Sequence, residues 1–238
     1  IRSRLVAREI RHAGEEAIFA PTPPLESLRM VLSYAATDIC GKHVQRRVNH
    51  CRDPNSEQRT QILIIDISRA YFNAKTSDDE PKYVEFPPEM KAEQGTCGLL
   101  RRHMYGTRRA AEGWQDEYSS ALTDMGFAQG SASPCVFVHR ERRIVTSVHG
   151  DDFTVLGYES DLDWLKLEMN KKFEIKSSRI GPARNDNKSL KLLNRIVEWT
   201  PQGIAIEGDQ RHAELIVRDM ELENTSKSVN TPTDANDK

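Results

Sequence analysis

Apolar residues recur along this chain at two different spacings, and the places where one spacing replaces the other predict its elements. Leu25, Leu28, Val31, Leu32 and Ala35 follow a helical period behind Pro21, Pro23 and Pro24, predicting a helix over 25–36 with Pro24 suited to the first turn. Residues 38–60 are polar, basic and aperiodic, which reads as a long loop. Gln61-Ile62-Leu63-Ile64-Ile65-Asp66-Ile67 then reads as a buried strand, being short, β-branched and bounded by polar residues. From 74 to 100 an acidic stretch, Pro87-Pro88, Gly95 and Gly98 predict turns and short extended pieces without a strong element. Trp114, Tyr118, Ala121, Leu122 and Met125 share a helical face that Gly126 stops, giving a helix over 111–125.

Beyond it, Pro134 introduces a strand at Cys135–Val138, and Ile144–Val148 and Phe153–Leu156 flank His149-Gly150-Asp151-Asp152 in the pattern of a hairpin. Both aspartates are thereby expected on its turn. Ser160 reads as the cap of a helix that carries Leu162, Leu165, Met169 and Phe173. Leu190–Trp199 is strand-like, Thr200–Gly203 is a turn, Ile204–Ile206 pairs back, and a last helix is expected near 210–221. The polar, Ser/Thr-rich stretch 224–238 reads as a linker.

From Ile62 onward the main elements run strand, helix, strand, strand, helix, strand, an α+β arrangement of the split βαβ, ferredoxin-like kind. In that topology the first strand lies antiparallel beside the third, so its C-terminal end reaches the hairpin turn. Asp66 is then brought next to Asp151 and Asp152, although 85 positions separate the first two. Three converging carboxylates repel one another unless cations lie between them, and magnesium is the natural occupant because it prefers hard oxygen donors. A pair of such ions stabilises both the attacking and the leaving oxygen of an in-line displacement, so the chemistry suggested is phosphoryl or nucleotidyl transfer. Asp-Asp in a tight turn is common for backbone reasons alone. Asp66 strengthens the site reading, since an ionisable group ending an apolar strand is costly without a partner.

Composition adjusts this picture in a few places. With 238 residues the chain supports one compact unit with subdomains, and 37% hydrophobic against 29% charged residues describes a wet-surfaced globule rather than a membrane-embedded one. The longest apolar run, Ile62–Ile65, is far too short to span a bilayer, and no secretory signal is visible at the start, so a cytoplasmic setting is expected. A net charge of −2 argues mildly against nucleic-acid binding. Local clusters answer it in part: Arg2, Arg4, Arg8 and Arg11; Arg101, Arg102, Arg108 and Arg109; Arg140, Arg142 and Arg143; Lys171 and Lys172. Cys40, His43, His50 and Cys51 include zinc-type donors, but their spacing is irregular and they read as scattered loop residues.

These residues resemble the reverse transcriptase domain of copia-type LTR retrotransposons over almost the whole chain. The likeness is carried in order by Arg4-Leu5-Val6-Ala7-Arg8, Phe19-Ala20-Pro21, Asp66-Ile67-Ser68-Arg69-Ala70-Tyr71-Phe72-Asn73, Met104-Tyr105-Gly106 with Trp114, Gly126-Phe127, Ser133-Pro134-Cys135-Val136-Phe137, Asp151-Asp152, Phe173-Glu174-Ile175 and Thr231-Pro232. The resemblance implies a right-hand polymerase: a fingers-like segment at 1–60, a palm at 61–190 with an inserted fingers piece near 85–110, a primer-grip hairpin and helix at 191–222, and a linker at 223–238. It implies an RNA-directed DNA polymerase that adds deoxynucleoside triphosphates to a primer on an RNA or DNA template. Two Mg2+ ions, replaceable by Mn2+, would sit on Asp66, Asp151 and Asp152. Tyr71 would be a steric gate against ribose, with Phe72, Arg108, Arg109 and Arg4 also at the substrate. Ribonuclease H and integrase modules of a polyprotein, and virus-like particles, belong to the same expectation.

Two departures stand out. The family usually has Tyr-Val before its Asp-Asp where this chain has His149-Gly150, and Gly150 is expected to loosen the turn. The family's Lys-Gln-Ser-Pro becomes Arg108-Arg109-Ala110-Ala111, which keeps a cation for the triphosphate but loses a glutamine associated with nucleotide binding. A decayed or domesticated copy that only binds nucleic acid is the alternative reading; a nucleotidyl cyclase shares the topology but not the order of motifs.

Overall fold

The computed structural model describes residues 5–10, 14, 18–37, 60–208 and 210–222. Arg4, the 38–59 segment with Cys40, His43, His50 and Cys51, and the 223–238 stretch lie outside the described residues. Most expected elements form with small shifts of boundary, and short strands that the pattern did not predict join them: helix α1 at Leu25–Thr37, strand β1 at Thr60–Ile67, β2 at Lys82–Val84, β3 at Gly98–Leu100, helix α2 at Ala110–Asp124, and β4 at Ala128–Gln129. They continue as β5 at Val136–His139, β6 at Ile144–His149, β7 at Asp152–Tyr158, helix α3 at Glu159–Lys172, β8 at Ile175–Ile180, β9 at Ser189–Leu192, β10 at Arg195–Thr200, β11 at Gly203–Glu207 and helix α4 at Gln210–Asp219.

β1 is apolar on both faces because both are covered. Leu63, Ile65 and Ile67 pack with Trp114, Tyr118 and Leu122 of α2 and with Leu162, Leu165 and Met169 of α3. Ile62 and Ile64 face the other way, onto Leu28, Val31, Leu32 and Ala35 of α1 and onto Leu190, Leu192 and Val197. The six-stranded sheet runs β4-β5-β6-β7-β1-β8, with β1 antiparallel to both β7 and β8. Its β6-β7-β1-β8 part has the strand order of a split βαβ unit.

That order requires a correction. The closing strand of the unit is β8, Ile175–Ile180, and not the Leu190–Trp199 stretch expected from apolar content. β8 is an edge strand with exposed polar positions between its two isoleucines, so it presents almost no apolar signal. Leu190–Trp199 is in fact two strands, β9 and β10, joined through Leu193 and Asn194, whose φ of 46° and 62° are those of a type I′ hairpin turn. With β11 they make a separate three-stranded sheet, so the boundary drawn at 190 falls inside one of its strands. Ser160 is not a cap: α3 starts at Glu159 behind Tyr158, without a side-chain cap bond, and carries Glu159 and Asp161 in its first turn, where negative charge suits the helix dipole. Among the described residues no helix is long and apolar enough to cross a membrane.

Candidate active site

Asp66 and Asp152 are direct partners across the β1–β7 ladder. Because Leu63, Ile65 and Ile67 point to α2 and α3, alternation puts Asp66 on the opposite face, and the same count from Phe153 and Val155 puts Asp152 there too. The face is thus shared, and both carboxylates are half-buried. Asp152 is the first residue of β7, not a turn residue as expected, which leaves Gly150 and Asp151 as the two-residue loop between paired His149 and Asp152. Across four strands the register makes a row of His149, Asp152, Asp66 and Lys176, the last opposite Asp66 on β8. Lys176 had no signal in the apolar pattern, because its neighbour across the sheet is decided by pairing.

The loop is held from outside the hairpin. Ile67 N–H donates to the Asp151 carbonyl at 3.0 Å, and the Trp114 indole Nε1–H donates to the Gly150 carbonyl at 2.9 Å. Gly150 has φ +65°, a region that costs other residues about 1–2 kcal/mol. Rather than loosening the turn, the glycine permits it.

Burial raises the Asp152 carboxyl above its usual range, the charges of Asp151 and Asp66 raise it further, and His149 opposes them. Two half-buried carboxylates beside the exposed Asp151, one of them resisting ionisation through burial and its neighbours' charges, suit hard divalent cations. Among the described residues no three His, Cys, Asp or Glu side chains stand as a ready-made metal cage. Carboxylate oxygens are nonetheless the donor type that magnesium prefers.

Arg69, at φ 55°, turns the chain out of β1 into a single 3-10 turn, Ala70–Asn73. Tyr71 packs half-buried against the α2–α3 core with its ring 4.7 Å from Tyr105, and the partly exposed Phe72 meets Tyr105 edge-on at 5.7 Å. Phe72 lines a cavity of about 660 Å³ together with Arg69, Arg102 and Lys172. Tyr105 is carried by a turn on which the N-terminal segment docks: Ala7 N–H donates to Tyr105 O at 2.7 Å and Glu9 N–H to Gly106 O at 3.3 Å. Gly106 has φ +91°, and a Cβ there would lie 1.8 Å from the Ala7 carbonyl oxygen, so no other residue fits. Glu9 accepts the backbone N–H of Arg108 at 2.8 Å and pairs with Lys82 at 3.1 Å. Burial raises its carboxyl, but these two partners outweigh it and hold it below the usual range.

Of the expected substrate cations, Arg109 is engaged by carboxylates of its own surroundings. Arg109 reaches Glu80 at 3.9 Å and Glu112 at 3.8 Å, and lines a cavity of about 640 Å³ with Glu9, Lys82, His103 and Glu112. None of the three aspartates lines that cavity.

Antiparallel β1 and β7 present an aspartate pair, and the β6–β7 turn beside it carries Asp151, within a mixed α/β core of a class consistent with a reverse transcriptase domain. The chain belongs to the reverse transcriptase (RNA-dependent DNA polymerase) family, whose model matches residues 55–233. Within that class it falls in the copia-type family. No curated protein matches the chain closely enough to add to this.

Proposed function

We propose that this chain is the polymerase core of a copia-type reverse transcriptase, extending a primer 3′-hydroxyl by two-metal nucleotidyl transfer with Asp66, Asp151 and Asp152 as the metal ligands. The observation that carries the reading is the Asp66–Asp152 register across β1 and β7 beside the Asp151 turn. On this reading the six-stranded sheet with α2 and α3 is the palm. The β2–β3 ribbon with the docked N-terminal segment belongs to the fingers, and the β9–β11 sheet with α4 forms the primer grip and thumb base.

Asp66 and Asp151 would hold both ions and Asp152 would support them. Ions held there would lower the pKa of the attacking hydroxyl and neutralise the leaving pyrophosphate. The protein's own part is orientation: the β1–β7 ladder fixes the two strand aspartates on one face, and the half-buried site limits water around them. Tyr71, backed by Tyr105 at 4.7 Å, supplies a firm ring at the position of the sugar gate. Arg108 and Arg4 would meet the triphosphate.

A second reading, a copy that binds primer–template without extending it, draws support from Arg109, whose guanidinium is turned to Glu80 and Glu112. Primer extension on an RNA template, with Mg2+ or Mn2+, decides between them. Wild type is expected to extend and Asp151→Asn to lose activity by several orders of magnitude, while Tyr71→Val admits ribonucleotides. Equal extension by wild type and Asp151→Asn would remove the metal assignment; no extension with either metal would leave the binding reading.

A further inference from the structure

Trp114 is 1% exposed, and an indole N–H buried that deeply needs an acceptor. The acceptor here is not a helix or sheet carbonyl but Gly150 O, in the loop that carries Asp151, at 2.9 Å. The donor is itself immobilised, since the indole meets Tyr118 edge-on at 5.6 Å and Phe173 at 5.3 Å inside the α2–α3 core.

The loop needs such a constraint. Gly150 has positive φ whereas Asp151 does not, which is the type II′ pattern; type I′ would place both in the positive region. The two forms interconvert by rotating the peptide plane that joins Gly150 to Asp151. That rotation reverses the Gly150 carbonyl, and the reversed oxygen then crowds the Asp151 Cβ and displaces that side chain. Gly-Asp at the two central positions leans toward type II′, but aspartate tolerates positive φ better than most residues, so the loop's own preference is small. The Trp114 N–H binds the carbonyl in only one of the two orientations.

We infer that Trp114 is a positioning residue for the metal-binding loop: its indole N–H, bonded to Gly150 O, locks the peptide plane that aims Asp151 at the site shared with Asp66 and Asp152. The inference rests on the metal assignment proposed above. Ile67 N–H, bonded to Asp151 O at 3.0 Å, is the complementary hold from the strand that bears Asp66.

The test replaces Trp114 with 3-benzothienylalanine, which keeps the ring shape and puts sulfur where the N–H was, alongside the conventional Trp114→Phe. Wild type and both variants are compared by thermal unfolding, by primer extension across a Mg2+ series, and by calorimetric titration with Mn2+. A folded isostere is expected to extend on the order of 10- to 100-fold more slowly, as a misaimed reacting group would. Its half-saturating Mg2+ should rise and its Mn2+ binding weaken, with KM for deoxynucleotide little changed. An isostere with wild-type extension and wild-type Mn2+ binding would overturn the inference and leave Trp114 as packing. Should wild type fail to extend yet bind Mn2+ more tightly than the isostere, the lock stands and the polymerase reading falls. Absence of both extension and Mn2+ binding in wild type removes both.

Discussion

Asp152 shows at the scale of one residue how a site can oppose the fold that carries it. Burial, and then Asp151 and Asp66, raise its carboxyl above the unfolded value of about 3.9. A raised folded pKa means that this group's favourable contribution is complete below the unfolded pKa and is lost as pH climbs through the folded one. At neutral pH without metal, Asp152 therefore works against folding. Asp152→Asn is expected to raise the metal-free Tm modestly, by a few degrees at most, because solvent screens a group that is only half-buried. If Mg2+ binds as proposed, wild type should gain Tm with the ion and the variant should lose most of that gain. Thermal scans at pH 7 with and without Mg2+ check both, and an undiminished Mg2+ response in the variant would take Asp152 out of the site.

Among the elements, the docked N-terminal segment is the piece whose attachment depends on a single missing side chain. A methyl group at Gly106 cannot coexist with the Ala7 carbonyl 1.8 Å away, and φ +91° adds strain of its own. Gly106→Ala is expected to release residues 5–10, breaking two backbone hydrogen bonds and the Glu9–Lys82 pair, at a cost of roughly 1–3 kcal/mol. Hydrogen exchange at residues 7 and 9, together with a denaturant midpoint, would show it. Retained protection at both amides would mean that the turn absorbs the methyl group by shifting. Tyr105, which backs Tyr71 and Phe72, sits on the same turn, so the release is also expected to loosen the wall beside the site.

For the whole molecule the question is how a chain with net charge −2 would hold a polyanion. Affinity must come from local cations, and about four phosphate contacts would lower heteroduplex binding roughly 100-fold between 50 and 200 mM salt. Asp151→Asn should bind with the same salt slope as wild type, and a flat response would argue against a phosphate-lined groove. How far this protein was legible beforehand follows from the range of each signal. Periodicity and turn residues are local, so the sequence alone determined α1, β1, α2, the β6–β7 hairpin and α3, and from their order the meeting of Asp66 with Asp152. The polar edge strand β8 and the I′ turn at Leu193–Asn194 escaped because neither depends on apolar content. Only the tertiary structure decided which groups face one another across strands and layers: Lys176 opposite Asp66, Arg109 turned toward Glu80, and the Trp114 indole on the Gly150 carbonyl. Those contacts join positions far apart in the chain, and their geometry is set by register and packing.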